Sequence, residues 1–526
     1  MSTSATIPGL YYTFVRPPKP PSPLRTDVAG FFGRTVRGPV GTPVRVEGWR
    51  EYTSVFGGLT EDAMTPYAVN GYFNNEAQLA YIVRLLGAGS TCASAVWSSG
   101  SVDATGKIDV DWPGASGMKA IQFQIKASSP GDWSNKTTIQ MRYWLNGATG
   151  KPEIQIEVTP PNETPELLIG IDPASIDSEV NQRSAYIRMT ANPLPAGLAL
   201  PATIGPRYFQ WNPVTLTGGN SVAPVAEDYL DAVQQLGDQI EVALMCSPDL
   251  YHPEFPDTSD QVNVITTMLK QANQLHDRLV LIDVPPSKSD PMCAVKWVDT
   301  ELRLQCTEGI LRNAAVYHPR LLVADPLGTV ANPLRCIPCS GSVAGVISRM
   351  DLQLGAYFTP ANAPLEQAFD LAKLLDADEQ AMIYSGGLNL LTCSPSRGLL
   401  VWGGRVLGKS TPGGYVAHRR LIHLLVRAIR RVAEPLVFDT NGPELWLAFV
   451  RSITTVLLEA YRAGALQGDQ PSQAFQVICD ATTNPSSQID EGTVVCVVKV
   501  APAVPMEFIT LRVAVSAQGQ LEVFES

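Results

Sequence analysis

Residues 240–284 read IEVALMCSPDLYHPEFPDTSDQVNVITTMLKQANQLHDRLVLIDV. The pattern predicts a continuous apolar strand over Ile240–Cys246, a helix over Gln261–Arg278 and a second apolar strand over Leu279–Val284. Fully apolar strands that alternate with helices are typical of a mostly parallel sheet covered by helices on both faces. This stretch therefore predicts an α/β domain.

The same alternation continues on both sides of this stretch. Three further helices are predicted at Glu76–Leu86, Ala226–Leu236 and Pro364–Ile383. Four further strands are predicted at Val28–Gly33, Val44–Val46, Leu321–Ala324 and Gly398–Trp402. We assign residues 26–91 and 221–394 to one central α/β domain.

The intervening residues 92–220 differ in composition. They are rich in Gly, Ser, Thr, Asn and Pro, with short alternating runs such as Ile121–Ile125 and Ile154–Val158. Short alternating runs between turn residues are typical of antiparallel strands. We predict a β-rich outer domain inserted into the central domain.

The C-terminal part predicts a smaller α+β domain over residues 395–505. Its first helix, Arg419–Ala433, carries leucine and isoleucine on one face, and its arginines lie mostly off that face. A second helix is expected to begin after Asn441 as N-cap and to end at Gly464. Strands are predicted at Phe475–Cys479, Thr493–Val500 and Glu507–Val515, so residues 506–526 form a C-terminal strand or arm.

The N-terminal residues 1–25 are predicted to form an extended arm. Leu10–Arg16 has strong β-propensity, and five prolines follow by residue 23. Proline fixes φ and removes a hydrogen-bond donor, so this spacer is extended and stiff. A strand held away from the body needs a sheet belonging to another subunit.

Composition excludes several functions. The chain has 526 residues, a net charge of -11 and 17% charged residues, which does not suit a basic surface for nucleic acid. No apolar run is long enough to span a membrane, and the first ten residues do not resemble a secretory signal. Nine scattered cysteines suit a reducing cytoplasm.

One motif points to nucleotide binding. Gly403–Ser410 satisfies the phosphate-loop pattern, and Leu279–Asp283 resembles the strand and aspartate that hold magnesium. The mechanism requires a helix to begin at Lys409-Ser410, but Pro412 and two glycines follow. We therefore expect a flexible connector here.

No other motif indicates catalysis, a metal or a cofactor. Cys336 and Cys339 form a lone CxxC without further zinc ligands nearby, and Ser340-Gly341 does not favour the helix that a redox CxxC opens. The five histidines form no metal or protease motif. We expect two ordinary thiols in a turn and no catalytic residue.

Many positions, in order, resemble contractile phage tail sheath proteins. The likeness is strongest after residue 315 and touches most of the chain. The C-terminal positions are Tyr415–Leu421, Val437–Asn441, Leu445–Trp446, Gly464–Gly468, Ala474–Phe475, Cys479–Asp480, Thr482–Thr483 and Ala501–Pro502. The upstream positions are Gly38–Pro39, Trp49, Phe56–Gly58, Ser129–Asn135, Ala324–Pro326, Ser340–Gly345 and Arg397–Gly403.

The resemblance implies a structural subunit without cofactor that polymerises as rings of six or as a helical sheath around an inner tube. Its other expected partners are baseplate and terminal cap proteins and sheath paralogues. It implies assembly in the cytoplasm, a place in a phage tail or phage-tail-like particle, and contraction driven by energy stored at assembly. The arms are expected to add strands to neighbouring subunits, through Leu10, Tyr11, Tyr12, Phe14, Val15, Phe508, Ile509, Leu511 and Val513.

The arginine helix has two interpretations, since basic residues opposite an apolar face are either solvated or meet an acidic partner. With the C-terminal domain facing the tube, as the resemblance implies, the tube-facing residues would be Arg419, Arg420, Arg427, Arg430 and Arg431.

Two other classes of protein stay open at this point. A cytoplasmic nucleotide-binding α/β enzyme would use the loop Gly403–Ser410, and ATP-dependent thermal stabilisation would favour it. An oligomeric adhesin or capsid-like protein would polymerise without forming hollow cylinders.

Overall fold

The computed structural model describes residues 25–98, 100–102, 108–110, 122–146, 152–161, 163–172, 175–191, 208–408, 414–436, 439–503, 509–515 and 521–525. The chain first contributes three strands to a large sheet and two helices to one of its faces. These elements are β1 (Ala29–Gly33), β2 (Val44–Val46), α1 (Trp49–Phe56), α2 (Thr65–Asn74) and β3 (Ala80–Arg84).

The helix predicted over Glu76–Leu86 is wrong, because this segment contains β3. Glu76 has a φ of 68°, in the left-handed region, which ends the preceding helix. Ile82 and Val83 are then buried in a strand that pairs parallel with β1 and antiparallel with β2. Burial on both faces removed the alternation that marks a strand in sequence.

The described part of residues 92–220 consists mainly of β-strands. It has a sheet in the order β11-β7-β4, a sheet in the order β10-β9-β8-β12 with β13 also on β8, and the hairpin β5-β6. Trp97 and Trp211 lie edge to face in its core. The elements are β4 (Ser94–Ser98), β5 (Gly100–Val102), β6 (Ile108–Val110), β7 (Gln122–Ala127), β8 (Thr138–Leu145), β9 (Pro152–Thr159), β10 (Glu166–Ile171), α3 (Ile176–Arg183), β11 (Ile187–Ala191), β12 (Tyr208–Gln210) and β13 (Val214–Thr215).

The chain then returns to the large sheet and alternates helix and strand. The elements up to the sixteenth strand are α4 (Ala226–Gly237), β14 (Leu244–Cys246), α5 (Thr258–Leu275), β15 (Leu279–Asp283), α6 (Pro291–Trp297), α7 (Glu308–Leu311) and β16 (Ala314–His318). Those that follow are β17 (Leu321–Thr329), β18 (Asn332–Ile337), α8 (Ser340–Gln353), β19 (Ala363–Pro364), β20 (Asp370–Leu371), α9 (Ala377–Ser385), β21 (Asn389–Ser394) and β22 (Gly398–Trp402).

The described residues form one large sheet in the order β19-β22-β21-β16-β15-β14-β1-β3-β2. The run from β21 to β3 is parallel, which confirms the mostly parallel sheet. Phe31 and Leu281 face one hydrophobic core, and their neighbours Phe32 and Val280 face the other. The sheet is therefore buried on both faces by helices, as its apolar strands predict.

Three predictions for this region need correction. The segment Pro364–Ile383 is not one helix, since it holds β20 and a helix that begins only at Ala377, where Asp376 and Glu379 form a capping box. The strand at Leu321–Ala324 extends to Thr329 and forms an antiparallel hairpin outside the large sheet. The predicted boundary between residues 394 and 395 separates β21 from β22, which pair with each other.

The C-terminal part packs two long helices against an antiparallel sheet in the order β23-β24-β25-β26. Gly442, not Asn441, is the N-cap of the second helix; the Asn441 side chain instead bonds Trp446 and the Thr493 carbonyl. The elements are α10 (Val416–Ala433), α11 (Pro443–Arg462), α12 (Pro471–Ala474), β23 (Phe475–Ile478), α13 (Ser486–Asp490), β24 (Val494–Val500), β25 (Ile509–Val515) and β26 (Leu521–Glu525). Among the described residues, no helix combines the length and apolarity needed to cross a membrane.

Candidate functional site: the arginine helix at the amino edge of the sheet

The helix α10 lies along the edge of the large sheet where the parallel strands begin. Its side chains bond residues just before four strands that are adjacent in the sheet. Arg420 and Arg427 reach the carbonyls of Thr26 and Arg25, which precede β1, and Arg427 reaches Val242, which precedes β14. Arg427 also donates to the carbonyl of Asp277, which precedes β15, and Arg419 donates to the side chain of Asn313, which precedes β16. We call these contacts the amino-edge seam.

Helix polarity explains why arginines occupy this edge. In an alternating α/β fold, helices run against the strands, so their C-terminal ends lie where the strands begin. The last carbonyls of a helix lack intrahelical partners and carry partial negative charge. Arg430 donates to the carbonyl of Leu275 at the end of α5, and Arg278 donates to that of Leu236 at the end of α4, at 2.7 Å. A guanidinium group has several N–H donors, so one arginine can bond several of these carbonyls at once.

Arg427 is the centre of the seam. It donates to the carbonyls of Asp277 at 3.1 Å, Arg25 at 2.7 Å and Glu241 at 3.2 Å, and also to Val242. Burial lowers its pKa to about 10, so it stays protonated at neutral pH. One side chain therefore ties together the segments that lead into β1, β14 and β15.

Two aspartates complete the seam. Asp277 bonds Arg278 at 2.9 Å and Arg430 at 3.2 Å. Asp351, in the last turn of α8, forms a buried ion pair with Arg420, which also donates to the Thr26 carbonyl at 2.6 Å. Burial raises the pKa of Asp351 to about 6 although Arg420 acts to lower it. His423 is buried beside Arg419, and burial holds its pKa well below the usual value, so it is neutral.

The tube-facing prediction needs correction for three arginines. Arg419, Arg420 and Arg427 are 1%, 2% and 4% exposed, and each bonds groups of its own chain. They cannot offer their guanidinium groups to another protein in this conformation. Arg430 and Arg431 are half-buried, so their contact with a tube stays a prediction.

Sequence reasoning missed the acceptors of the seam and the exposed arginines of the next helix. Nothing in the sequence joins Asp277 or Asp351 to residues more than sixty positions later in the chain. On α11, Arg451 and Arg462 are exposed, together with Leu447. Their spacing along the helix, at positions off its apolar stripe, was the signal that could have identified them.

The opposite edge of the sheet, where strands end, carries carboxylates. Asp249, after β14, accepts bonds from Arg34 N at 2.8 Å, Met64 N at 2.5 Å and both Thr65 N and Thr65 Oγ1. Asp283, at the end of β15, accepts from Ser340 N at 2.9 Å and Ser340 Oγ at 2.5 Å, and burial raises its pKa. Thr65 and Ser340 begin helices α2 and α8, so both carboxylates occupy helix N-termini.

The described part of the phosphate-loop motif is engaged within the protein. Arg405 N donates to Asn389 Oδ1 at 2.7 Å, Val406 N to the Gly414 carbonyl at 3.1 Å, and Leu407 N to the Ala314 carbonyl at 2.9 Å. The next helix begins only at Val416. These amides are therefore not directed at a phosphate, and the connector is packed against the sheet through residue 408, in contrast to the flexible connector that we expected.

The CxxC motif does open a helix, contrary to the expectation, because α8 starts at Ser340 directly after Cys339. Cys339 is buried, and burial raises its pKa well above the usual value, whereas Cys336 is exposed on β18. The Sγ atom of Cys339 lies 3.3 Å from the Tyr317 carbonyl oxygen. A buried thiol with a raised pKa is a poor nucleophile. Over the described ranges, no three His, Cys, Asp or Glu side chains are placed to hold a metal ion.

The residues predicted to exchange strands are only partly described. Leu10, Tyr11, Tyr12, Phe14, Val15 and Phe508 lie outside the described residues. Ile509, Leu511 and Val513 lie in β25, whose backbone pairs with β24 on one side and β26 on the other. In this single chain, the outer strands of the described C-terminal sheet are β23 and β26.

Comparisons with known proteins agree with this architecture. Residues 223–406 match the phage tail sheath protein central domain, and residues 409–516 match the phage tail sheath C-terminal domain. The tail sheath protein of Enterobacteria phage T4 is 28% identical over 192 residues, 35% of this chain and 28% of the relative. A putative prophage major tail sheath protein of Pseudomonas aeruginosa is 25% identical over 214 residues, 39% of this chain and 54% of the relative.

The chain thus spans about a quarter of the length of the phage T4 relative and about half of that of the prophage relative. Two solved structures share the fold over nearly the whole chain. The sheath tail protein of Desulfitobacterium hafniense has a TM-score of 0.60 at 13% identity, with 97% of this chain and 100% of that chain covered. The contracted helical sheath of the anti-feeding prophage has a TM-score of 0.55 at 18% identity, with 96% and 98% covered. Together the two domain matches cover more than half of the sequence, and the chain therefore belongs to the phage tail sheath protein family.

Proposed function

We propose that this chain is the structural subunit of a contractile sheath, which polymerises around an inner tube and drives it through a target envelope. The observation that carries the proposal is the match of both the central and the C-terminal sheath domains, in order, over residues 223–406 and 409–516. The shared fold with a helical sheath in its contracted state supports it. The chain would act mechanically, not as an enzyme.

Assembly is proposed to depend on strand exchange. The N-terminal arm would add Leu10–Val15 to a neighbouring subunit, and Ile509–Val515, which pairs within its own sheet in the single chain, would exchange that pairing for strands of a neighbour. Backbone pairing of this kind survives rotation of whole domains. The outer strand β23 offers a backbone edge where such an addition fits.

Its partners would be further copies of itself, a tube protein, a baseplate and a terminal cap. A baseplate structure of the anti-feeding prophage contains a chain of the same fold, at a TM-score of 0.54. We propose that the tube contact uses the half-buried Arg430 and Arg431 and the exposed Arg451 and Arg462, in place of the three buried arginines. Exposed charge pairs are weak, so the tube would be held loosely.

Contraction would use energy stored at assembly. The free-energy difference between the extended and the contracted state would be small for each subunit but would add up over many copies. A lattice joined by arms would release it cooperatively. Assembly would take place in the cytoplasm before release as a phage tail or phage-tail-like particle. The engaged amides of Arg405, Val406 and Leu407 count against the alternative of a nucleotide-binding enzyme.

The test is negative-stain electron microscopy of the purified full chain. We expect hollow cylinders, because free subunits should collect in the low-energy contracted lattice. A matched variant replaces residues 1–24 with a Gly/Ser segment of equal length, and it should stay folded by circular dichroism but form no cylinders. Persistent monomers, also after co-expression with a tube protein, would contradict the proposal.

A further inference from the structure

Two cysteines that are far apart in sequence meet in the C-terminal sheet. The strands β23 and β24 are antiparallel, and their last register pair joins Ile478 to Val497. Continuing that register by one residue places Cys479, which directly follows β23, opposite Cys496 of β24. Facing residues of an antiparallel pair have Cα atoms roughly 4.5–5.5 Å apart. That separation lies within the range that disulfides span, about 4.4–6.8 Å.

The two thiols are close enough to influence each other's ionisation. A hydrogen bond between them lowers the pKa of Cys479 and, with burial, raises that of Cys496. Cys479 is 8% exposed and Cys496 is 3% exposed. Asn484 fixes the turn beside them, since its side chain bonds Val495 N at 2.6 Å and the Val495 carbonyl at 3.0 Å and lies 3.8 Å from Cys479 Sγ.

The remaining thiols of the chain have other surroundings. Cys246, Cys306 and Cys339 are buried beside oxygen atoms of Ser340, Thr266 and Tyr317. Cys293, Cys336 and Cys393 are exposed, and Cys92 is half-buried. The two cysteines of the CxxC motif therefore differ, since Cys336 is exposed and Cys339 is buried. Cys479 and Cys496, which belong to no sequence motif, instead lie opposite each other.

We propose that Cys479 and Cys496 form an intrachain dithiol that small disulfide oxidants such as oxidised glutathione convert into a cross-strand disulfide. The Cys479 thiolate attacks one sulfur of glutathione disulfide and releases one glutathione thiolate. The Cys496 thiol then gives its proton to the released glutathione thiolate as it attacks Sγ of Cys479 and displaces the second glutathione. The two thiol protons end on the two glutathione molecules, the dithiol loses two electrons and glutathione disulfide gains them. The product fastens the outer strand β23 to β24, and this inference goes beyond the proposed sheath function and does not depend on it.

The test uses the full chain with Cys293, Cys336 and Cys393 changed to Ser, which leaves six of the nine cysteines. The protein is incubated with oxidised glutathione, alkylated in denaturant and mapped by mass spectrometry without reduction. We expect the loss of two alkylatable thiols, a linked peptide containing Cys479 and Cys496, and a thermal midpoint that rises by several degrees and falls back with dithiothreitol. Adding Cys496→Ser should abolish the link, while adding Cys306→Ser should preserve it.

Three results would overturn the inference. The first is two thiols that stay alkylatable after prolonged oxidation of the folded chain. The second is a link that maps to other cysteines or a glutathione that stays attached to Cys479. The third is a Cys479–Cys496 link that lowers the thermal midpoint, because the bond would then distort the sheet instead of fastening it. None of these readings requires the Cys496→Ser variant to fold.

Discussion

The two edges of the large sheet present oppositely charged groups to the ends of the helices. Where strands begin, guanidinium groups of Arg278, Arg420 and Arg427 donate to carbonyls. Where strands end, the carboxylates of Asp249 and Asp283 accept from amides. Each set is opposite in charge to the helix ends at its edge. Helix C-termini are partially negative and face the guanidinium groups, and helix N-termini are partially positive and face the carboxylates.

The difference lies in where the charged groups come from. Asp249 follows β14 and Asp283 ends β15, and both accept from residues of the same central domain. Arg420 and Arg427 belong to α10, whose opposite face lies in the C-terminal core with Leu421, Leu425 and Ile429. The amino edge is therefore closed by a helix that also belongs to the C-terminal domain, so we expect perturbations there to be felt in both domains.

The largest effect should come from Arg427→Met. Met keeps much of the apolar stem but removes donors from four carbonyls, and we expect a loss of about 4 kcal/mol of unfolding free energy. Urea unfolding followed by circular dichroism measures it. The exposed Arg451→Met is the matched control and should change stability little. An Arg427→Met cost no larger than that of the control would break the comparison between the edges.

A pH effect of intermediate size should come from Asp351. Its folded pKa of about 6 lies above the ordinary 3.8. At pH values between these two, the folded chain keeps a proton that the unfolded chain has released. This contribution to stability is fully present below the unfolded value and is lost as the pH rises through about 6, by ~3 kcal/mol at most.

The measurement is urea unfolding at pH values between 4 and 7, for the wild type and for Asp351→Asn. The difference between the two should change across this window, because Asn cannot titrate. The exposed Asp378→Asn serves as control and should run parallel to the wild type. A constant difference for Asp351→Asn would mean that Arg420 keeps the carboxylate ionised throughout.

The smallest of the three effects should come from Asp249→Asn at the carboxyl edge. The amide keeps one acceptor oxygen but turns a donor towards amides that also donate, and we expect a cost of about 2 kcal/mol. Thermal unfolding with Asp62→Asn, an exposed aspartate nearby, as control measures it. A cost above that of Arg427→Met would reverse the order of the edges.

Helices and strands with a clear local apolar pattern could be predicted from the sequence. Elements whose position depends on distant partners could not. Strands such as Leu279–Asp283 and the helix around Arg419–Ala433 have apolar patterns that local chemistry explains. The strand Ala80–Arg84 was mistaken for a helix because Leu79, Val83 and Leu86 recur at helical spacing, and burial on both faces leaves no alternation to oppose that pattern. The short strands inside 364–383 depend on partners distant in sequence, which no local pattern records.

The sequence drew attention to the arginine helix, but the environment predicted for Arg419, Arg420 and Arg427 differs from the buried one in the structure. Amphipathicity identified the apolar face of α10 and treated the remainder as solvent-facing. Arg427 is buried because carbonyls at several strand starts meet there, and that row exists only once the sheet has formed. A charged side chain is rarely buried unless it is paired, so sequence alone favoured exposure.

The placement of α10 determines how a mechanical load would travel through one subunit. A pull on the C-terminal sheet reaches this helix through its apolar face and then passes to the starts of β1, β14, β15 and β16. These attachments lie on four adjacent strands, so each of them would carry part of the load. Rigid elements of this kind carry coupling between distant sites. A torque on one sheet would therefore turn both sheets as a unit.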